Sequence, residues 1–234
     1  MKRTSLLFAI SALAIAPCFQ SCLEDDTYGG EDLLFAVGTV KVIEGQDYYF
    51  ELDEGSLLYP TDTTAIHGYE VTDDQRAFIY FIPIDEKLSG YEYNAKLEHI
   101  ENILTKDIYR MPPEKADSIG HDRIDVDDLW LTEDYINIVY KFYHSNNPEK
   151  VHMLNLVIDE AAEPATDGYL HLYFRHNAYD DAPVQGGPGI VSFKLDTVRD
   201  LLEHAQGICI HATTIYNGEQ TYTINKASKS FWAD

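Results

Sequence analysis

From residue 33 onward the chain reads as short apolar or alternating segments separated by turn residues. Segment 33–42 is apolar and β-branched, and 47–52 is rich in Tyr and Phe after a turn at Glu44-Gly45-Gln46. Gly55 marks another turn, and a short segment at 57–59 precedes Pro60. Residues 60–74 are polar and predict a loop with at most a short pairing. Segment 77–84, AFIYFIPI, is a continuous apolar run of strand length. It predicts a strand buried on both faces, with Pro83 near an edge or end. Between 91 and 97 the pattern alternates, with Tyr91, Tyr93, Ala95 and Leu97 on one face and Glu92, Asn94 and Lys96 on the other. This strand is expected to run on through Ile100 towards Leu104. About five strands are therefore expected before residue 112, where Pro112-Pro113 opens a linker or short helical turn.

The second half repeats the style. Strands are predicted at 123–131, 134–143, 151–158, 169–175, 189–194, 207–216 and 221–224. Turns at 144–150, a loop at 176–188 containing Gly186-Gly187-Pro188, and Asn217-Gly218-Glu219 separate them. The spacing fits a β-sandwich. One helix is expected, with Asp196 as N-cap, Val198, Leu201, Leu202 and Ala205 at helical spacing, and Gly207 as the stop. The fold class is all-β. The expected domains are 33–112 and 119–231, the second carrying one short helix.

The first 21 residues follow a different logic. Met1-Lys2-Arg3 is basic, residues 6–16 are apolar, and Pro17 ends any helix. The apolar run has the length of a signal-peptide core and is too short to span a bilayer. Phe19-Gln20-Ser21-Cys22 resembles the lipobox of bacterial lipoproteins, which makes Cys22 the expected lipidation site. Ser21 fits that pattern, whereas Phe19 stands where Leu is usual and Gln20 where a small residue is usual. The segment after Cys22, LEDDTYGGED, predicts an acidic tether over 22–32. Acyl chains contribute about 0.8 kcal/mol per buried CH₂, so a multiply acylated cysteine anchors a protein without help from any helix. Cys18 would leave with the leader, and Cys209 would be the mature chain's remaining thiol.

Composition narrows the partners. The 234 residues carry 17 Lys and Arg against 40 Asp and Glu, a formal charge of −23. Cleavage before Cys22 removes Lys2 and Arg3 and no acid, leaving −25. Such a chain is repelled by nucleic-acid phosphate and by anionic headgroups. No nucleic-acid partner is expected. With 45% hydrophobic residues, a packed core is affordable and disorder is not the expectation.

Candidate chemistry is sparse. There is no HExxH among the nine histidines. His171 and His176 are five apart on a strand, so they point to opposite faces and cannot share an ion locally. Cys209 and His211 share a face, but no elbow or oxyanion loop accompanies them, and the thiol reads as a packed one. Asp122, Asp125, Asp127 and Asp128 form the densest acidic cluster, yet the Gly of a calcium loop is missing and Ile124 and Val126 interleave as core residues. They read as a strand with a solvated acidic face, with weak calcium binding as the alternative. Gly186-Gly187-Pro188-Gly189 lacks the Lys-Ser/Thr of a phosphate loop. Tyr48, Tyr49, Tyr80, Tyr91 and Tyr93 could stack sugars or peptides, although strand tyrosines are more often packing. No catalytic residue, cofactor or metal site is expected.

The stretch DLWLTEDYINI (residues 128–138), with SCLEDD after the leader, VGTVKV, ILTKDI and VHMLNLVID, resembles the NigD-like lipoproteins of the Bacteroidetes. That resemblance covers nearly the whole mature chain. It implies an N-terminal OB-like barrel followed by a C-terminal β-sandwich, and it carries over no catalytic residues. The family's name comes from a bacteriocin gene cluster. The acidic run after Cys22 also resembles the surface-export signal of Bacteroidetes lipoproteins. The expected function is a non-enzymatic, lipid-anchored envelope protein of the outer membrane that binds or scaffolds a protein or peptide partner. A carbohydrate-binding lipoprotein is the alternative, and an envelope hydrolase is a further one.

Overall fold

The computed structural model describes residues 33–163 and 165–226. Residues 1–32, where the leader, Cys22 and the tether are expected, and residues 227–234 lie outside them. Five strands form the first half: β1 (Leu34–Glu44), β2 (Asp47–Leu52), β3 (Leu57–Asp62), β4 (Arg76–Pro83) and β5 (Tyr93–Asn102). They close into a barrel in the order β1-β2-β3-β5-β4, with β4 returning to β1. Only the β3–β5 pairing is parallel. Val40, Phe50, Leu58, Ile79 and Leu97 fill the interior. This is an OB-like barrel.

Two local expectations change here. β3 runs through Pro60 instead of stopping before it, with a register shift between Pro60 and Asp62 where the proline offers no N–H to the ladder. β4 is not buried on both faces: Ala77, Ile79 and Phe81 point inward, while Phe78 is half-buried and Tyr80 is 38% exposed. A barrel strand has one inner face, and a continuous apolar run hides which residues take it. The outer residues shelter one another instead, with Phe35, Phe78 and Tyr80 ring centroids 5.0–6.4 Å apart.

The second half is a two-sheet sandwich. Its strands are β6 (Leu104–Asp107), β7 (Tyr109–Met111), β8 (Asp125–Leu131), β9 (Tyr135–His144), β10 (Met153–Asp159), β11 (Leu170–Asn177), β12 (Gln185–Lys194), β13 (Gly207–Thr214) and β14 (Gly218–Asn225). One sheet runs β14-β13-β11-β10-β7 and the other β6-β12-β9-β8. Ile136, Ile138, Leu156, Leu172, Phe193 and Ile210 pack between them. Residues 104–111, expected inside the first domain, form β6 and β7, each pairing in parallel at the edge of a different sandwich sheet. Such three- and four-residue edge strands carry too little pattern to be assigned from sequence.

The glycine segment expected as a loop is part of β12. Residues 185–194 pair with β9, but β6 covers only 191–194 on the other side. Pro188 therefore sits on a free edge, where its missing N–H costs no ladder bond. A side chain at Gly187 would come within 2.7 Å of His144 Nε2, and one at Gly189 would strike the Tyr140 ring. The glycines admit the large side chains of β9 lying across them.

The expected helix is shorter and differently capped. A 3₁₀ turn, Asp196–Val198, leads into α2 (Arg199–His204), and a single turn, α1 (Ala116–Ile119), precedes β8. Asp196 makes no capping bond to the backbone, and its carboxylate pairs with Arg199 instead. Lys226 Nζ donates to the carbonyls of Leu202 and Glu203, satisfying the helix's last acceptors. Val198 and Leu202 tuck against the sandwich core.

Barrel and sandwich are joined through a buried ion. Arg76, 1% exposed, leaves the start of β4 and meets Asp53 in a bidentate pair of 2.6 and 2.7 Å. Its remaining N–H groups go to Thr39 Oγ1, Asn137 Oδ1 and Ser192 Oγ. All five guanidinium donors are thus placed. The Asp53 carboxylate also accepts Trp130 Nε1–H at 2.8 Å and Asn137 Nδ2–H at 3.3 Å. The Tyr135 ring covers the guanidinium at 4.6 Å. Arg76→Ala should leave Asp53 buried without its cation and cost about 3–5 kcal/mol. Urea unfolding of the variant beside the wild type measures this loss. Arg76→Lys should recover only part of it, because an ammonium cannot fill the five-donor fork.

Candidate functional site

The tyrosines named from sequence do not form one platform. Tyr48 is buried inside the barrel against Phe50. Tyr49 and Tyr91 meet at 5.8 Å, and Tyr59 lies 5.2 Å from Tyr91. Tyr80 is on another wall beside His99, and Tyr93 packs on Phe81. The aspartates are likewise dispersed. Asp122 accepts the Ala178 N–H, Asp125 the Ile215 N–H, and Asp128 the Leu129 N–H. Three of the four carboxylates are thus spent on separate backbone amides and do not converge on a cation.

A concave apolar site opens where the barrel mouth meets the sandwich. It is a cavity of about 380 Å³ lined by Leu34, Phe35, Leu52, Phe81, Tyr93 and Trp130, with Asp53 and Glu54 at its polar side. Leu33 and Phe35 are more than half exposed at its rim. Burial pushes the Glu54 carboxyl above its ordinary range, so the pocket's polar end is a reluctant anion. The pocket exists because Asp53 and Trp130 bind one another across the junction. Sequence alone offers no such signal, since its walls come from five separate stretches of chain.

Two histidine pairs form on the sandwich, and neither is local in sequence. His176, 2% exposed, faces His152 at 2.8 Å, and His152 Nε2 meets Asp181 Oδ2 at 3.1 Å. His176 Nδ1 donates to the Arg123 carbonyl, so its Nε2 is the acceptor toward His152. The Phe142 ring stacks on His152. Burial holds the His176 imidazole below its ordinary value of 6.5. The Ser145 side chain and amide N–H, with His152, hold the Asp181 carboxyl far below the usual range.

The second pair lies on the outer face of the five-stranded sheet. Parallel β11 and β13 place His171 beside Cys209 and Tyr173 beside His211. His171 Nδ1 and His211 Nε2 are 2.8 Å apart, and Cys209 Sγ lies 3.9 Å from His211 Nε2. The Asp167 carboxylate holds His171 Nε2 at 3.0 Å, and the Tyr173 ring stacks on His211. His171 and His176 do face opposite sides of β11, and each has found a different partner. Burial raises the Cys209 thiol above its ordinary value and lowers the His211 imidazole, so the resting site favours the neutral thiol. The thiol expected to pack with His211 on its side of the strand thus has a second imidazole, His171, beside it. Two of the three, Cys209 and His211 on one face, are legible from their spacing; only strand order could add His171.

The lipidation candidate Cys22 lies outside the described residues. No helix among the described residues is long and apolar enough to cross a membrane.

Comparison with known proteins places both halves. Residues 37–103 match the model of the NigD-like N-terminal OB domain, and residues 107–226 match that of the NigD-like C-terminal beta sandwich domain. A crystal structure of a protein of unknown function from Bacteroides vulgatus is similar at a TM-score of 0.73 and 27% identity, covering 83% of this chain and 90% of that one. A toxin-related protein from Parabacteroides distasonis is similar at 0.68 and 29%, with coverage of 82% and 92%. A NigD-like immunity protein from Bacteroides caccae shares the fold at 0.56 and 20%, with coverage of 84% and 93%. No curated protein matches the sequence.

The buried His176 sets a pH dependence. Its folded-state value lies below the unfolded one, so on acidification the unfolded chain takes up a proton first. Stability should fall as pH drops below about 6.5, and fall again below about 3.8 as Asp181 titrates in the unfolded chain before the folded one. Urea midpoints measured from about pH 8 to about pH 3 check both steps, and His176→Gln should flatten the first.

Proposed function

We propose, from the premise that this chain belongs to the NigD-like family, that it is a non-enzymatic, lipid-anchored envelope protein whose barrel–sandwich junction holds a protein or peptide partner. The observation that carries this reading is the apolar cavity beside Trp130. It combines an apolar lining with a few fixed polar groups, the usual make-up of a binding site. Leu33 and Phe35 extend its apolar surface onto the open face of β1, as a binding rim would. The junction is rigid, because the Arg76–Asp53 network ties its walls together. A preformed site loses little ordering entropy on binding.

The anchor is the second part of the proposal. The basic start, the apolar run and Ser21-Cys22 support cleavage and lipidation at Cys22. A structural neighbour from Bacteroides fragilis is described as a lipoprotein, although its 16% identity speaks to fold alone. The acidic tether would then hold the body of this mature chain, −25 in all, clear of an anionic surface. Outer-membrane placement and surface exposure follow from the same signal and belong to this proposal. A bacteriocin-related role draws support from the toxin-related protein of Parabacteroides distasonis. The carbohydrate alternative rests on Tyr49, Tyr59 and Tyr91, which gather beside Asp47 and Glu51; a glycan array decides it.

Two measurements test the reading. Cys22→Ala should move the protein from the membrane pellet to the soluble fraction on cell fractionation, and retention in the pellet would overturn the anchor. A photo-crosslinking residue placed at Phe35 should yield a discrete adduct with one protein in the producing cells. The same probe placed at His204, far from the cavity in the fold, should not. Equal labelling at both positions, or none at Phe35, would remove the junction as the binding site.

A further inference from the structure

The geometry points to a binding site for a Zn²⁺-type transition-metal ion formed by His171, Cys209 and His211, with Asp167 as the carboxylate that orients His171. Three ligand-capable atoms, His171 Nδ1, Cys209 Sγ and His211 Nε2, all lie within 4.8 Å of one another. Two imidazoles and a thiol are the donor set that suits zinc and its neighbours in the first row, and they offer no hard oxygen for calcium or magnesium. Tetrahedral ligation at ordinary zinc bond lengths needs N···N of about 3.3 Å and N···S of about 3.6 Å. The observed 2.8 and 3.9 Å are each within roughly half an ångström of that. The third pair, His171 Nδ1 and Cys209 Sγ, lies within 4.8 Å, and rotation of the His171 ring is the movement that would close the triangle.

The surroundings are those of a ligating site. Asp167 accepts the Nε2 proton of His171, which leaves Nδ1 with its lone pair directed at His211. A carboxylate on the far nitrogen of a ligating histidine fixes its tautomer and orientation. Tyr173 stacks on His211 and fixes its plane. Cys209, 5% exposed, is fixed in the β13–β14 ladder opposite Thr223. A cleft of about 480 Å³ lined by His171 and Tyr173 gives solvent a way in for a fourth ligand. On coordination Cys209 forms the metal–sulfur bond as its S–H proton passes to solvent, and His211 presents Nε2 once its proton sits on Nδ1. The other pair, His152 and His176, has no thiol and spends one nitrogen on the Arg123 carbonyl. The site is independent of the partner-binding reading, since it lies on the sandwich's outer face and shares no lining residue with the junction cavity.

The test uses the full chain, purified in detergent, stripped with chelator and kept reduced. Titration with Co²⁺ should give a thiolate-to-cobalt charge-transfer absorption saturating at about one ion per chain, and Zn²⁺ should bleach it. Cys209→Ser should abolish the band. Asp167→Asn, which keeps all three ligands, should weaken the affinity by about 10–100-fold. His99→Ala, on the barrel, should leave it unchanged. Absence of the band, or a band that survives Cys209→Ser, would overturn the site. Should Cys209→Ser fail to fold, His171→Gln and Asp167→Asn decide it: unchanged Co²⁺ affinity in both refutes the proposal, and weakened affinity in both supports it.

Discussion

Burying Arg76 between two β-domains is the constraint around which the molecule is arranged. A guanidinium removed from water is tolerable only if its donors are all met and its charge is neutralised. Asp53 supplies the charge, and Thr39, Asn137 and Ser192 accept the remaining donors. Three of the residues that complete this network, Trp130, Asn137 and Ser192, belong to the sandwich. Neither half could bury its own share of the group alone, so orientation and burial come together. Such a network contributes more to a unique arrangement than to net stability, because apolar packing of equal volume would avoid the desolvation cost.

That fixed junction has consequences on both sides. On one side it creates the apolar cavity, whose walls are contributed by β1, the end of β2 and the turn after it, β4, β5 and β8. On the other it leaves the sandwich's outer sheet free to carry polar residues. There the parallel pairing of β11 with β13 sets His171 next to Cys209, a register that antiparallel hairpins, which join neighbouring strands in sequence, could not have produced. The two histidine pairs stand on opposite faces of β11, one inside and one outside, because side chains alternate along a strand.

Much of the architecture was legible. The alternation at 91–97, the Tyr/Phe segment at 47–52 and the apolar stretches at 134–143 and 151–158 mark strands, found to start within a residue or two of those bounds, because each must present one face to a core. The misreadings have shared causes. Gly186-Gly187-Pro188 looked like a loop because glycine and proline usually break strands, yet the aromatic side chains of β9 require the glycines and a free edge admits the proline. Residues 104–111 looked like a tail of the first domain because short edge strands take their partners from tertiary contacts.

The candidate sites divide along the same line. Sequence by itself determined the large negative charge and the strand-by-strand pattern, since these depend on composition and on the period of a few adjacent residues. It also placed Cys209 and His211 on one face, because that needs only a two-residue spacing. Tertiary structure alone decided that His171 joins them, that Trp130 closes a cavity with Asp53, and that an arginine in β4 is neutralised 23 positions away. Those outcomes depend on strand order and register between distant segments, and a linear pattern of apolar and polar residues constrains which face a side chain takes but not which strand lies beside it.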